Sequence, residues 1–218
     1  MHKKYKLLLF DLDGTLIDSK QDIAQATNAA RAVLGLSPLP ADTIASFVGS
    51  GMTELLEKAF HTQDKKIIKE GLEFFQKYYY DHCLDQTIWY PGVEDGLLNL
   101  KKAYPLVVLT NKPKEFTKKI LASLKGEEWF RETLSGNEAF PKKPDPAGAL
   151  YLAQKFGVAL HECLLVGDSR FDIQTAVNAD MDMALASYGF GWDAKGNTSG
   201  VTTFLKKFSD LFQFLESN

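Results

Sequence analysis

Lys6-Leu7-Leu8-Leu9-Phe10-Asp11-Leu12-Asp13-Gly14-Thr15 is the stretch from which the fold can be read. From Lys6 to Phe10 the chain runs apolar and stops abruptly at Asp11, the pattern of a strand buried on both faces. Two further runs behave alike: Leu106 to Leu109 ends at Thr110-Asn111, and Leu164 to Val166 ends at Gly167-Asp168. Helical composition follows, at Glu115 to Leu124, Pro146 to Phe156 and Phe171 to Ala179, with Pro113 and Asp145-Pro146 as helix starts. Strands alternating with helices predict an α/β fold, a Rossmann-like parallel sheet. Open sheets of this kind bind ligands at the carboxyl ends of their strands, which would gather Asp11, Asp13, Thr110, Asn111 and Asp168 at one edge.

Between the first strand and the rest lies a different texture. Helix-like stretches at Asp22 to Leu34, Thr53 to Phe60 and Asp64 to His82 are broken by Gly35, the Pro38/Pro40 segment and Gly49-Ser50-Gly51, with no convincing strand. This reads as an inserted helical cap domain over residues 17–86, with the α/β core formed by 1–16 and 87–218. Tyr90-Pro91-Gly92 is the turn that returns the chain to the core, before the helix-like Val93 to Ala103. Hinges near Leu16 and Tyr90 would let the cap admit substrate and exclude water. Phe74-Phe75 and Tyr78-Tyr79-Tyr80 could form a partner surface, but their helical spacing favours packing within a helical layer.

Composition narrows the function. The 218 residues are 45% hydrophobic and 24% charged, enough for one globular unit with a small insert. A net charge of −3 without a long basic stretch argues against a nucleic-acid partner. No run approaches the roughly 20 apolar residues of a membrane span, and Leu7 to Phe10 is too short for a signal-peptide core. Cys83 and Cys163 match no metal-ligand spacing and read as structural thiols in a reduced, cytoplasmic chain. The four histidines are scattered and carry no catalytic expectation.

The acidic residues carry the chemistry. On a regular strand Asp11 and Asp13 would point to the same side, and Gly14 lets the backbone turn its N–H groups towards an anion. Asp168 ends a separate strand, and Asp172 follows one helical turn later. Carboxylates at this density would repel one another and an anionic substrate without a cation, and an oxygen-only donor set favours Mg²⁺. Taken alone, Asp-x-Asp could equally be two solvated loop carboxylates, and Asp172 could merely complement a helix dipole.

Leu8-Leu9-Phe10-Asp11-Leu12-Asp13-Gly14-Thr15-Leu16 resembles the first motif of the haloacid dehalogenase superfamily. Val108 to Lys112, Lys143-Pro144-Asp145-Pro146, and Val166 to Ser169 with Asp172 resemble the second, third and fourth, in the same order. The resemblance implies a phosphatase in which Asp11 attacks phosphorus to form an aspartyl-phosphate. Asp13, kept protonated beside its ionised neighbour, would be general acid and then base. It further implies Mg²⁺ held by Asp11, the Asp13 carbonyl and Asp168, with Asp172 a ligand through water or an orienting group. Thr110 and Asn111 would contact phosphate oxygens, and Lys143 would set its ammonium against the phosphate and Asp11. The bland readings are a strand-ending turn for Thr110-Asn111 and a solvated loop lysine for Lys143.

Within the superfamily, Phe10 to Ser19, Phe47 to Gly51 and Ser187 to Gly191 look most like phosphoglycolate phosphatases. This implies 2-phosphoglycolate as the small phosphorylated metabolite, with Gly49, Ser50 and Gly51 approaching it from the cap, although a plain interhelical turn explains those glycines as well. Phe171, where relatives often carry Asn, and Asn137-Glu138 depart from the pattern. A phosphosugar mutase like β-phosphoglucomutase and a non-enzymatic phosphoacceptor remain as alternatives; a dehalogenase has no need of the proton donor at Asp13. Monomer and homodimer both stay open.

Overall fold

The computed structural model describes residues 4–136, 140–192 and 196–218. Its main sheet has six parallel strands in the order β5 (Glu132–Leu134), β4 (Leu106–Leu109), β1 (Leu7–Phe10), β6 (Cys163–Gly167), β7 (Asp182–Ala186) and β8 (Thr203–Leu205). The chain builds outward from β1 through β4 to β5, crosses back to β6, and builds outward the other way. The order therefore reverses about β1, so a crevice opens at its carboxyl end.

The two-residue side-chain period of a strand explains why the central strands are apolar throughout. Leu8, Phe10, Leu106, Val108, Leu164 and Val166 enter one core. Leu7, Leu9, Val107, Leu109, Cys163 and Leu165 enter the other. The first core is covered by α5 (Val93–Leu100), α6 (Lys114–Ser123) and α9 (Asp210–Glu216), the second by α7 (Ala147–Phe156) and α8 (Arg170–Ala179).

A two-stranded antiparallel ribbon, β2 (Ile17–Asp18) with β3 (Ile88–Trp89), flanks the helical segment, and the Tyr90 N–H donates to the Leu16 carbonyl at 3.0 Å. Within the segment, α1 (Lys20–Val33) packs on α2 (Ala41–Ala45), α3 (Met52–Phe60) and α4 (Lys65–His82). Asp64 begins α4 by accepting from the Lys66 N–H at 2.8 Å, an N-cap. Arg31 on α1 donates to the Ser37 and Ala59 carbonyls, binding the helices together. Asp22, fully buried on α1, accepts from the backbone N–H groups of Gln86 (3.0 Å) and Thr87 (2.8 Å) and from the Thr87 hydroxyl (2.7 Å). One carboxylate thus ties the outgoing chain to the returning one.

Of the aromatic run, Phe75 and Tyr79 are buried and stacked at 5.4 Å, while Tyr80 is exposed. Packing, with Tyr79 against Phe116 at 5.1 Å, accounts for the inward pair. Among the described residues no helix is long and apolar enough to cross a membrane, and both cysteines are free and buried.

Candidate active site

Asp11 leaves β1 with its N–H bonded to the Val166 carbonyl (2.9 Å), which fixes its backbone to β6. Its strand has already ended at Phe10, so the regular alternation does not carry through to Asp13. The two carboxylates part company. Asp11 Oδ1 meets Lys143 Nζ at 2.9 Å, whereas Asp13 meets Lys112 Nζ at 2.9 and 3.1 Å and accepts from the Ser19 hydroxyl at 2.5 Å.

Asp11, Asp168 and Asp172 can each offer an oxygen within 4.8 Å of the others, and all three are buried. Asp168 ends β6 and accepts from the Gly191 N–H at 2.7 Å. Gly14, at φ +81, supports it from beneath: a Cβ there would overlap the Asp168 carboxylate. Asp172 makes a capping box with Ser169, taking the Ser169 N–H at 3.0 Å and hydroxyl at 2.6 Å on one oxygen, and Lys143 at 2.6 Å on the other. Both oxygens thus have donors already, which favours an orienting role over direct ligation.

Burial pushes the Asp11 carboxyl up to about 6, against the pull of Lys143 and with a further push from Asp172. Burial raises Asp168 as well, helped by its carboxylate neighbours. Desolvation opposes the Lys143 charge, yet Asp11 and Asp172 outweigh it and hold the ammonium firmly protonated. One ammonium shared by a group of three buried carboxylates leaves excess negative charge, and the donors are all oxygen. That set fits a hard divalent cation such as Mg²⁺.

Asn111 accounts for the placement of Lys143. Its Oδ1 accepts from the Lys143 N–H (2.8 Å), and its Nδ2 donates to the Lys143 carbonyl (2.9 Å) and the Gly49 carbonyl (2.7 Å). The amide is committed to joining the lysine loop to the helical segment, so only the Asn111 backbone is left for an anion. Thr110 is buried, and its hydroxyl oxygen accepts from the Lys112 N–H at 3.2 Å.

Asp11, Asp13, Thr110, Asn111 and Asp168 line one cleft, closed on the side of the helical segment by Gly49, Gly51, Met52, Leu55 and Tyr79. Ser50 is not part of this lining; its hydroxyl is buried and has no partner among the described residues. The Phe171 ring packs under Gly49, where a Cβ would stand 2.8 Å from it. Asn137-Glu138 lies outside the described residues. Lys112 and Tyr79 are groups at the site that sequence reasoning passed over. Its place directly after Thr110-Asn111, at a strand end on the ligand edge of the sheet, marks Lys112 as a neighbour of the site, but nothing in the sequence shows that it meets Asp13 and Tyr79.

An acid cluster at the switch point of a parallel sheet, with one ammonium bridging Asp11 and Asp172, suits chemistry on an anionic group. The model of the haloacid dehalogenase-like hydrolases matches residues 8–186. The phosphoglycolate phosphatase of Psychrobacter arcticus is 36% identical, over 96% of this chain and 95% of its own. That of Chromobacterium violaceum is 34% identical over 99% and 98%. The crystal structure of a predicted phosphoglycolate phosphatase from Haemophilus somnus 129PT superposes with a TM-score of 0.92 at 29% identity, covering 98% of this chain and 99% of that one. The chain belongs to the haloacid dehalogenase-like hydrolases.

Proposed function

We propose that the protein is a phosphoric monoester hydrolase that depends on Mg²⁺ and acts on 2-phosphoglycolate, releasing glycolate and phosphate. The observation that carries the reading is the separation of the two carboxylates: Asp11 sits with the acid cluster and Lys143, Asp13 with Lys112 and Ser19. Asp11 is held beside the acid cluster, and Asp13 opens on the same cleft with donors of its own.

Asp11 attacks phosphorus and forms an aspartyl-phosphate as the bond to the ester oxygen breaks. Asp13 gives the departing oxygen its proton, then takes one from the water that attacks the intermediate, so phosphate leaves and Asp11 is restored. Bound Mg²⁺, held by Asp11, Asp168 and the Asp13 carbonyl with Asp172 behind them, would offset charge on the phosphoryl group. Lys143 adds its charge from the Asp11 side. The Thr110 hydroxyl and the Asn111 backbone N–H take phosphate oxygens, while the Asn111 side chain holds Lys143 in position.

Residues 17–86 act as the cap, hinged near Leu16 and Tyr90, and Gly49 to Gly51 bring its backbone towards the substrate. The reduced thiols fit work in the cytoplasm. Every group named comes from one chain, so a monomer suffices and a homodimer adds nothing the chemistry needs. The substrate assignment is supported by the relatives named above.

Phosphate release from 2-phosphoglycolate, phosphosugars and other small esters, with Mg²⁺ and with excess chelator, tests the reading. Mg²⁺-dependent release with preference for 2-phosphoglycolate is expected. Release spread evenly over the esters removes the substrate assignment, and phosphosugar interconversion without release replaces hydrolysis with a mutase.

A further inference from the structure

We propose that Lys112, with Tyr79, is the specificity-determining pair that recognises a carboxylate carried one carbon from the ester oxygen; the proposal rests on the phosphatase reading above. Lys112 is a cation in the cleft lining, which otherwise offers acids, glycines, small polar groups and apolar side chains such as Ile23, Val48, Met52, Leu55, Phe75 and Phe116. Its side chain is 4% exposed. A lysine does not stay charged in such a place without an anion to face, and desolvation indeed opposes its charge, outweighed by Asp13 and by Tyr79.

The ammonium has three hydrogens. They are directed at the two Asp13 oxygens (2.9 and 3.1 Å) and at the Tyr79 hydroxyl oxygen (2.8 Å). Two of the three directions thus serve one carboxylate, and one can pass to a second carboxylate without leaving Asp13 unpaired. Tyr79 accepts from Lys112, so its own hydroxyl hydrogen is a donor that Lys112 does not use.

Position sets the length of the substrate. Asp13 must come within about 2.7–2.8 Å of the ester oxygen to deliver its proton. Lys112 Nζ is one hydrogen bond from Asp13, so a group on the leaving side of the ester oxygen that Asp13 serves comes within its reach. In an ester of a 2-hydroxy acid the carboxylate carbon is two bonds from that oxygen, so ammonium, acid and both substrate oxygens close a compact ring. One more methylene pushes the carboxylate past Nζ. A leaving group lacking the carboxylate leaves the buried ammonium with no second anion to meet.

The test compares kcat/KM for 2-phosphoglycolate, ethyl phosphate and the phosphate ester of 3-hydroxypropanoate, in wild type, Lys112→Met and Tyr79→Phe, under saturating Mg²⁺. Wild type should prefer 2-phosphoglycolate to both others. Lys112→Met keeps most of the stem and removes the charge, so kcat/KM for 2-phosphoglycolate should fall about 100-fold further than for ethyl phosphate. Tyr79→Phe, which leaves the cation, should narrow the same ratio by about 10-fold and serves if Lys112→Met fails to fold.

Equal losses on 2-phosphoglycolate and ethyl phosphate in both variants would show that the pair only positions Asp13, and would overturn the proposal. So would a wild type that accepts ethyl phosphate or the longer ester as well as 2-phosphoglycolate; either result leaves the phosphatase standing. No release from any ester would remove the phosphatase reading and this one with it.

Discussion

Asp11 and Asp13 are two positions apart and meet different partners because the strand ends before them, and the proposed mechanism gives them different work. Asp11→Asn keeps the shape and removes the nucleophile, so turnover should fall at least about 1000-fold and no phosphoenzyme should be trapped from radiolabelled substrate. Retained turnover would remove Asp11 from its role. Asp13→Ala should cost about 1000-fold on an alkyl phosphate but no more than about 30-fold on 4-nitrophenyl phosphate, whose leaving group needs little help from an acid. Equal losses would take the proton carrier elsewhere. These two residues were legible because a buried apolar strand that breaks at Asp, with Gly14 just beyond, sets a carboxylate and a free backbone turn at the sheet edge where ligands bind. Asn111 was legible as a position at the site, but not in what its side chain does. Its partners, the Lys143 backbone and Gly49, come from segments far apart in sequence, and spacing carries no trace of that meeting. Lys112 and Tyr79 escaped for the same reason: one lies after β4, the other on α4.

At the scale of elements, the central strands could be read because burial on both faces makes them apolar without interruption. The outer ones could not. β8, at the sheet edge, has Phe204 exposed beside buried Leu205, and β7 reads Asp-Met-Ala-Leu-Ala, residues that helices also favour. α2, five residues long, is held by its neighbours, since a helix that short has little stability of its own. The join between the helical segment and the returning chain depends on Asp22, another contact that sequence distance conceals. Asp22→Ala would leave the buried N–H and hydroxyl of Thr87, and the Gln86 N–H, without their acceptor, a cost of about 3 kcal/mol. Asp42→Ala is the control, because its ion pair with Lys20 stands at a carboxylate 89% exposed and is worth at most about 0.5 kcal/mol. Urea titration of both variants checks this: a matched midpoint for the two would show that Asp22 is not the tie.

Taken whole, the molecule trades stability for charge at its switch point. Two well-packed cores hold three carboxylates together in the place where only Lys143 among the described cations touches Asp11 and Asp172. A divalent cation held there would offset the repulsion among these carboxylates, so on the proposed reading binding and stability are linked. At Mg²⁺ about 100 times its dissociation constant, the linkage is about 2.7 kcal/mol. In a chain of this size that raises Tm by about 5–10 °C. Asp168→Asn keeps the shape and can still accept from the Gly191 N–H, but removes one of the repelling charges. The variant should therefore melt higher than wild type without metal and gain little on adding Mg²⁺, a crossing of the two melting curves that a purely structural role for Asp168 does not produce. Scanning calorimetry with chelator and with Mg²⁺ reads both effects. A wild-type Tm indifferent to Mg²⁺, or an Asp168→Asn variant that is destabilised without metal and still responds to it, would mean that the acid cluster is not the cation site.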